Sequence, residues 1–447
     1  MDAITTIKSS TYSMLNKGDC IHTVSGESAT VVSLLGEGGQ GEVYEVNYRN
    51  KNMAMKWFKP NGMGEDPSSF YNNIRNNISH GAPSQEFLWP VDITRQEENG
   101  GFGYIMEIRP TGYYEVSSFM VGTTHFSSYR TVIDACLHIV SAFRSLHIKG
   151  MSYQDLNDGN FFINPLNGDV LICDNDNVAP DGTETGVIGK PRYMAPEIIT
   201  GKNMPNVQSD LFSMAIILFI LFCNTHPLEG KKTLVPVLTP ILQEKIYGTN
   251  PVFILDPYDT SNKPDPKIHQ NVLVVWKYLP AYMKKIFLKS FSKKSFSNPG
   301  IRPKEIEWQK NLIRFKNEII KCTCGNDIFV NGRANVICEK CYRKYSIKYS
   351  IQLPEYDIPA VVGNTLYRCQ INYCKPEEDL QPIGIIVINR DDKKRIGIKN
   401  ISDLPWLATT PSGRTKVVES GDVVPLIDGI HFTAYGDAIE ALIKEKI

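Results

Sequence analysis

The segment Tyr153-Gln154-Asp155-Leu156-Asn157-Asp158-Gly159-Asn160, followed by the apolar run Val170-Leu171-Ile172-Cys173, by Asp174-Asn175-Asp176 and by Ala195-Pro196-Glu197, decides how the chain is read. It offers a carboxylate at Asp155, a neutral oxygen ligand at Asn160, and a second carboxylate at Asp174 beyond a short hairpin. Hard divalent cations take oxygen ligands, and Mg²⁺ is usually held by one or two carboxylates plus substrate phosphates. A carboxylate spared from the metal can accept the proton of an attacking hydroxyl while the metal neutralises the phosphates.

Upstream, Val31-Val32-Ser33-Leu34-Leu35 predicts a strand that runs into Gly36-Glu37-Gly38-Gly39-Gln40-Gly41-Glu42-Val43-Tyr44. Glycines there let backbone N–H groups approach phosphate oxygens with no Cβ in the way. A strand follows rather than a helix, which disfavours a dinucleotide fold. Met53-Ala54-Met55-Lys56-Trp57-Phe58 sets a Lys inside a buried strand, where it needs an anionic partner or a route to solvent. Phe87-Leu88-Trp89-Pro90 and Tyr104-Ile105-Met106-Glu107-Ile108 read as two more strands. Val132, Ile133, Cys136, Leu137, Val140, Phe143 and Leu146 recur at helical spacing, and Gly150 closes that helix after His147, read as a structural histidine. The apolar run Met214 to Cys223 is too short to span a bilayer and reads as a buried helix. Trp276 to Phe291 reads as one helix, and Arg302-Pro303 leads another through Ile306, Leu312 and Ile313.

In order and spacing, D-L-x-x-x-N, a hairpin, D-x-x and A-P-E resemble the catalytic and activation segments of eukaryotic-type protein kinases. The resemblance implies a bilobal α+β kinase fold over residues 24 to 318, behind an N-terminal arm at 1 to 23. It implies Asp155 as the base that orients a hydroxyl, and Asn160 and Asp174 as Mg²⁺ ligands. Lys56, with Gly36, Gly38 and Gly41, would hold the phosphates of ATP. Val43 would cover the adenine, Ala54, Met106 and Phe162 would shape its pocket, and Glu107 and Ile108 would give backbone contacts. Asp210 matches the residue that fastens the catalytic loop, and Glu197 with Arg302 a buried ion pair. The run Gly189 to Glu197 resembles a substrate-docking segment and favours a protein substrate.

Four departures from the family pattern stand out. The helical segment Ser69 to Ile78 has no acid, and Glu65 and Glu86 lie outside it, so Lys56 has no assigned partner. Tyr153-Gln154 replaces His-Arg, and the lost Arg is the usual receiver of a phosphate in the activation segment, where Thr183 and Thr185 are candidate acceptors. Asn157 stands at the catalytic Lys position, so the rate suffers or another cation substitutes. Asp176 replaces a Gly and is expected to add a carboxylate near the metals. An ATP-binding pseudokinase scaffold is the alternative these departures motivate.

A length of 447 residues suggests about three domains. Lys plus Arg equals Asp plus Glu at 48 each, so no global field points to nucleic acid or an anionic membrane. The start has an early Asp2 and no apolar core, so no signal peptide is expected. Cys322-x-Cys324 and Cys338-x-x-Cys341, separated by a strand-turn-strand with Asn331-Gly332 at the turn, read as a structural Zn²⁺ ribbon at 319 to 348. Reduced thiols of this kind suit the cytoplasm. Residues 352 to 447 alternate in short strands and read as a small all-β sandwich. The run Gly397 to Asp403 with Asp428 to Phe432 resembles the distal half of a forkhead-associated domain, without its phosphothreonine-binding signature. The whole combination resembles bacterial kinases of tellurite-resistance-type gene sets, which implies a von Willebrand factor A protein and a metal-dependent protein phosphatase as partners.

Overall fold

The computed structural model describes residues 14–59, 63, 66–97, 101–183, 189–371, 376–393, 395–434 and 440–446. The first lobe is a six-stranded antiparallel sheet built from β1 (Cys20–His22), β2 (Ser28–Glu37), β3 (Gly41–Tyr48), β4 (Lys51–Phe58), β5 (Asp92–Ile93) and β6 (Gly103–Met106), in the order β1-β2-β3-β4-β6-β5. The two-residue period of a strand splits β4 between two cores. Met53, Met55 and Trp57 pack with Val31, Tyr44 and Val46 on one face. Ala54 and Phe58 pack on the other with Phe70, Tyr71 and Ile74 of α1 (Pro67–His80). Lys56 shares that second face by its place in the alternation. α1 starts where Asp66 accepts from the N–H groups of Ser68 and Ser69, with Pro67 in its first turn.

Part of the expected arm belongs to this lobe. β1 pairs with β2, and Leu15 is buried, its N–H donating to the Tyr44 hydroxyl at 2.9 Å. A three-residue edge strand carries no periodicity to read. The expected strand at 87–90 is extended chain instead, because Pro90 has no N–H for a ladder. It serves as a strap between lobes: Leu88 N donates to Ile172 O at 2.9 Å, and Ile172 N to Glu86 O at 2.7 Å.

The second lobe opens with β7 (Tyr114–Glu115) and α2 (Val116–Met120), and α3 (Tyr129–Ile148) follows. Its short strands are β8 (Met151–Ser152), β9 (Phe161–Ile163), β10 (Val170–Ile172) and β11 (Ala179–Pro180). Then come α4 (Pro196–Ile199), α5 (Val207–Cys223), α6 (Pro240–Gln243), α7 (Gln270–Tyr278), α8 (Ala281–Ser290), α9 (Lys293–Ser297) and α10 (Glu305–Asn317). α5 is buried from Ser209 to Cys223 and forms the axis of the core. α3 is long and apolar enough to cross a membrane, but 67% of its most apolar window is buried inside the lobe, which makes it a core helix. The single helix expected from Trp276 to Phe291 is two, α7 and α8, broken at Leu279-Pro280 because a Pro removes the N–H and biases the residue before it to extended backbone.

Two hairpins follow: β12 (Ile319–Lys321) with β13 (Asp327–Phe329), and β14 (Asn335–Ile337) with β15 (Lys344–Ser346). The strands on either side of Asn331-Gly332 therefore do not pair with each other, although both residues take the left-handed backbone of a turn, at φ 49° and 73°. The last unit is a sandwich of two antiparallel sheets. One runs β17-β16-β25-β24-β21-β22, from β16 (Tyr349–Gln352), β17 (Asp357–Pro359), β21 (Trp406–Thr409), β22 (Thr415–Val418), β24 (His431–Ala434) and β25 (Glu440–Glu445). The other runs β18-β19-β20-β23, from β18 (Thr365–Tyr367), β19 (Pro382–Ile388), β20 (Ile396–Asn400) and β23 (Val423–Pro425). The sandwich opens at Tyr349 rather than 352, since β16 pairs with both β17 and β25. It is fastened to the helical lobe by an Arg144–Asp379 ion pair at 2.8 Å and by Asn364 donating to Asn317 O at 2.7 Å.

Candidate functional site

The alternation along β4 sends the Lys56 side chain into the cleft between lobes, where it meets the segment after β10. Its ammonium lies 3.1 Å from Asp174 and 3.1 Å from Asp176, with Gln40 Oε1 at 2.9 Å. Burial alone would lower the Lys56 pKa, but the charges of Asp176 and Asp174 outweigh it and hold it above the ordinary lysine value. The partner that the sequence left unassigned is therefore Asp176. Its side chain is 0% exposed and also accepts from the Tyr104 hydroxyl at 3.0 Å. Both its oxygens bond Lys56, at 3.1 and 3.2 Å, so the added carboxylate faces the lysine beside Asp174. α1 reaches the same segment through amides instead of an acid. Asn73 donates to Val178 O at 2.8 Å, and Asn77 to the same carbonyl at 2.7 Å.

Asp174 differs from Asp176 in both backbone and exposure. It sits in left-handed backbone at φ 52° with its side chain 41% exposed. Asn160, buried, donates its Nδ2 to Asp155 O at 2.7 Å, which fixes the plane of the amide and keeps its oxygen for a ligand. One exposed carboxylate and one amide oxygen are hard ligands of the kind Mg²⁺ takes when phosphates complete its shell.

The loop from Tyr153 to Asn160 is held from below. Asp210, buried in the first turn of α5, accepts from Tyr153 N at 2.6 Å and Gln154 N at 3.2 Å. The Tyr153 hydroxyl donates to Cys173 O, tying the loop to the strand before Asp174. Gln154 donates to Thr183 O at 2.6 Å, so a neutral amide steadies the start of the activation segment. Thr185 lies outside the described residues. Asn157 donates to Asp155 Oδ1 at 3.2 Å and accepts from Lys190 at 2.9 Å. Burial pushes the Asp155 carboxyl up to about 6, opposed by the Asn157 hydrogen bond and helped by the charge of Asp174. A carboxylate titrating near neutrality is suited to accept a proton.

His147 at the end of α3 is buried between two acids, with Nε2 3.2 Å from Asp210 and Nδ1 against Glu305. Burial works against its charge, but hydrogen bonds to Asp210 and Glu305 and their charges raise its pKa from 6.5 to about 9. The folded value lies above the unfolded one, so this stabilisation is complete below pH 6.5 and is lost as pH rises through about 9. The melting temperature is expected to fall over that range more steeply in the wild type than in His147→Gln. Parallel pH profiles would contradict the placement.

The glycine turn between β2 and β3 is closed by Gly38 N donating to Gly41 O at 2.8 Å. A Cβ on Gly41 would lie 2.2 Å from Trp57 O, so that position needs Gly, whereas one on Gly36 would meet nothing within 4 Å. Ala54 pairs with Met106 across β4 and β6, and both are buried beside the half-buried Val43 and Ile108. Glu107 is exposed where β6 ends. Arg109, next after Ile108, lays its guanidinium 3.8 Å over the ring of Phe162 on β9, which brings that ring to the same end of the cleft. The segment from Gly189 to Glu197 is braced too. Arg302 grips Glu197 through two buried bonds of 2.7 and 2.8 Å, and Arg192 bonds Glu229 at 2.5 and 2.8 Å.

Far from this cleft, Cys322, Cys324, Cys338 and Cys341 bring their sulfurs within 4.8 Å of one another. Each pair occupies the turn of one hairpin. Cys322 is 3.4 Å from Cys341, and Cys324 is 3.6 Å from Cys338. Tetrahedral thiolates at ~2.3 Å from one ion would stand roughly 3.8 Å apart, so the four fit a metal ion. Backbone N–H of Cys324 and the Tyr345 hydroxyl hold the Cys322 thiol down, whereas hydrogen bonds to its cysteine neighbours push the Cys341 thiol up, so the four thiols act on one another's protons.

Comparison with known proteins agrees with the geometry of the cleft. A 226-residue stretch of the chain, 49% of it, is 25% identical to protein kinase C delta type of Mus musculus. A 209-residue stretch is 24% identical to the probable serine/threonine-protein kinase MARK-C of Dictyostelium discoideum, covering 45% of this chain. A shorter one of 116 residues, 25% of the chain, is 30% identical to CBL-interacting protein kinase 12 of Oryza sativa subsp. japonica. The matches take in 32%, 26% and 20% of those relatives' own lengths, so the chain spans about a third or less of each. The family model for the protein kinase domain matches residues 29–407, most of the chain, and the chain belongs to that family.

Proposed function

We propose that the chain is a serine/threonine protein kinase that transfers the γ-phosphoryl group of ATP to a protein hydroxyl with Mg²⁺. The observation that carries this reading is the Lys56 ammonium 3.1 Å from both Asp174 and Asp176 in the cleft that also holds Asp155 and Asn160. Lys56 and the glycine turn set the triphosphate in place. Asn160 and Asp174 would hold Mg²⁺, which neutralises phosphate charge when bound. Asp155 orients the hydroxyl and accepts its proton, and the braced segment Gly189 to Glu197 presents the acceptor chain. Most of the acceleration then comes from positioning and charge stabilisation. The scaffold alternative loses its main motive, since the missing helix acid is replaced by Asp176.

Further proposals rest on the resemblance and on the outer modules. The cluster of four cysteines supports a structural zinc site, and a reducing, cytoplasmic setting would suit such a site. The two antiparallel sheets of the last unit support a forkhead-associated-like module in a docking role. A von Willebrand factor A protein and a metal-dependent phosphatase in a bacterial stress-response module are the partners we would pair with it. The test is incubation of the purified chain with labelled ATP, Mg²⁺ and those partners, with phosphosites located by mass spectrometry. Phosphoserine or phosphothreonine on chain or partner is expected, with one zinc per chain by elemental analysis. ATP consumption with no labelled protein would point to a small-molecule acceptor and contradict the reading.

A further inference from the structure

We propose that Lys190 supplies the cation that faces the phosphoryl group in flight, a role no residue of the catalytic loop itself can fill because Asn157 is neutral. The inference rests on the kinase reading above and names a further residue of the same site.

Three observations converge on Lys190. Its ammonium donates to Asn157 Oδ1 at 2.9 Å and stands 3.7 Å from Asp158 Oδ1, which anchors a side chain otherwise 60% exposed. Asn157 in turn donates to Asp155 Oδ1 at 3.2 Å, so the positive charge lies two hydrogen bonds from the base. Lys190 and Asp155 also line one small pocket with Gly189, Tyr193 and Met194. The backbone of the same segment runs close to the base, since a Cβ on Gly189 would come 3.2 Å from Asp155 Oδ1. Among the described residues, Lys190 is the cation that pairs with the loop from Asp155 to Asn160. Lys56 is engaged by Asp174 and Asp176, and Arg192 by Glu229.

The transfer asks for such a charge. The bond from the γ-phosphorus to its bridging oxygen breaks, and that oxygen leaves with the electron pair on ADP. A bond forms from the acceptor oxygen to phosphorus while the hydroxyl proton passes to Asp155. Negative charge spreads over the equatorial oxygens in between, where a positioned cation stabilises it most. The ammonium comes from the segment proposed above to present the acceptor, and its bond to Asn157 keeps it at the loop that carries Asp155.

Three forms of the full-length chain decide the matter: wild type, Lys190→Gln and Lys190→Arg, each assayed for labelled phosphate transfer and for ATP affinity. Gln keeps a donor for Asn157 Oδ1 and drops the charge, whereas Arg keeps the charge. Lys190→Gln is expected to lower kcat about 30-fold with KM for ATP within about threefold, and Lys190→Arg to stay within about fivefold of wild type. Melting temperatures should be alike, since Lys190 is exposed. A Gln variant as active as wild type, or an Arg variant as impaired as Gln, would overturn the assignment. Wild type that transfers no phosphate at all would overturn the kinase reading itself and this role with it.

Discussion

Asp155→Ala is expected to lower the rate of phosphoryl transfer by roughly a thousandfold while leaving ATP affinity and melting temperature close to wild type. The loop that carries Asp155 is held by other atoms. Asp210 fixes the backbone of Tyr153 and Gln154, the Tyr153 hydroxyl reaches Cys173 O, and Asn160 bonds the Asp155 carbonyl, which the substitution keeps. The carboxyl itself accepts a hydrogen bond from Asn157, so little of the fold depends on it. In the wild type, its pKa of about 6 sets the sign of the pH dependence. The ionised form accepts the proton, so the rate is expected to fall as pH drops through about 6 and to level off above it. Labelling by radioactive ATP that persists in the Ala variant would remove Asp155 from the chemistry.

Asp176→Ala is expected to have the largest effect on stability. It leaves Lys56, 6% exposed, without its buried partner, and leaves the Tyr104 hydroxyl without an acceptor. Breaking a buried pair by removing one member costs about 3 to 5 kcal/mol. A fall in melting temperature on the order of 10 °C follows for a lobe of this size, with weakened nucleotide binding because Lys56 is no longer aimed. Asp174→Ala makes the sharp comparison. Its side chain is 41% exposed, and a pair that open to water contributes ~1 kcal/mol or less. It should melt near wild type yet lose transfer, because the oxygen offered to Mg²⁺ is gone. Similar melting losses in both variants would mean that the two carboxylates do not divide the work in this way.

That division was hidden from the sequence for a physical reason. The order of Asp155, Asn160, Asp174 and Glu197 is local, and a loop, a hairpin and a helix start can be read from spacing and turn residues. Whether Asp176 faces a metal or a lysine depends on burial against Tyr104 and on a contact with Lys56 across 120 residues, which no spacing encodes. The helix after β4 shows the same limit. Its lack of an acid was plain, but that Asn73 and Asn77 would grip Val178 O is a property of packing. The cysteine pairs were legible as two knuckles because a tight turn between two thiols is a local arrangement. The pairing of their strands was not, since Asn331-Gly332 makes a turn without making a hairpin. In the sandwich the short alternating strands were legible as a class, whereas the start at β16 was not, because what makes Tyr349 part of the unit is pairing with β25 at the far end of the sequence. Pro280 could have divided the helix after Trp276, and the apolar residues on both sides masked it.

The nucleotide site stands or falls on a calorimetric titration of ATP into the full-length chain, with and without Mg²⁺, in wild type and Lys56→Met. One Mg²⁺-dependent binding event per chain, abolished in the Met variant, is predicted from an ammonium poised between Asp174 and Asp176. Binding that ignores both Mg²⁺ and Lys56, or no binding at all, would contradict it.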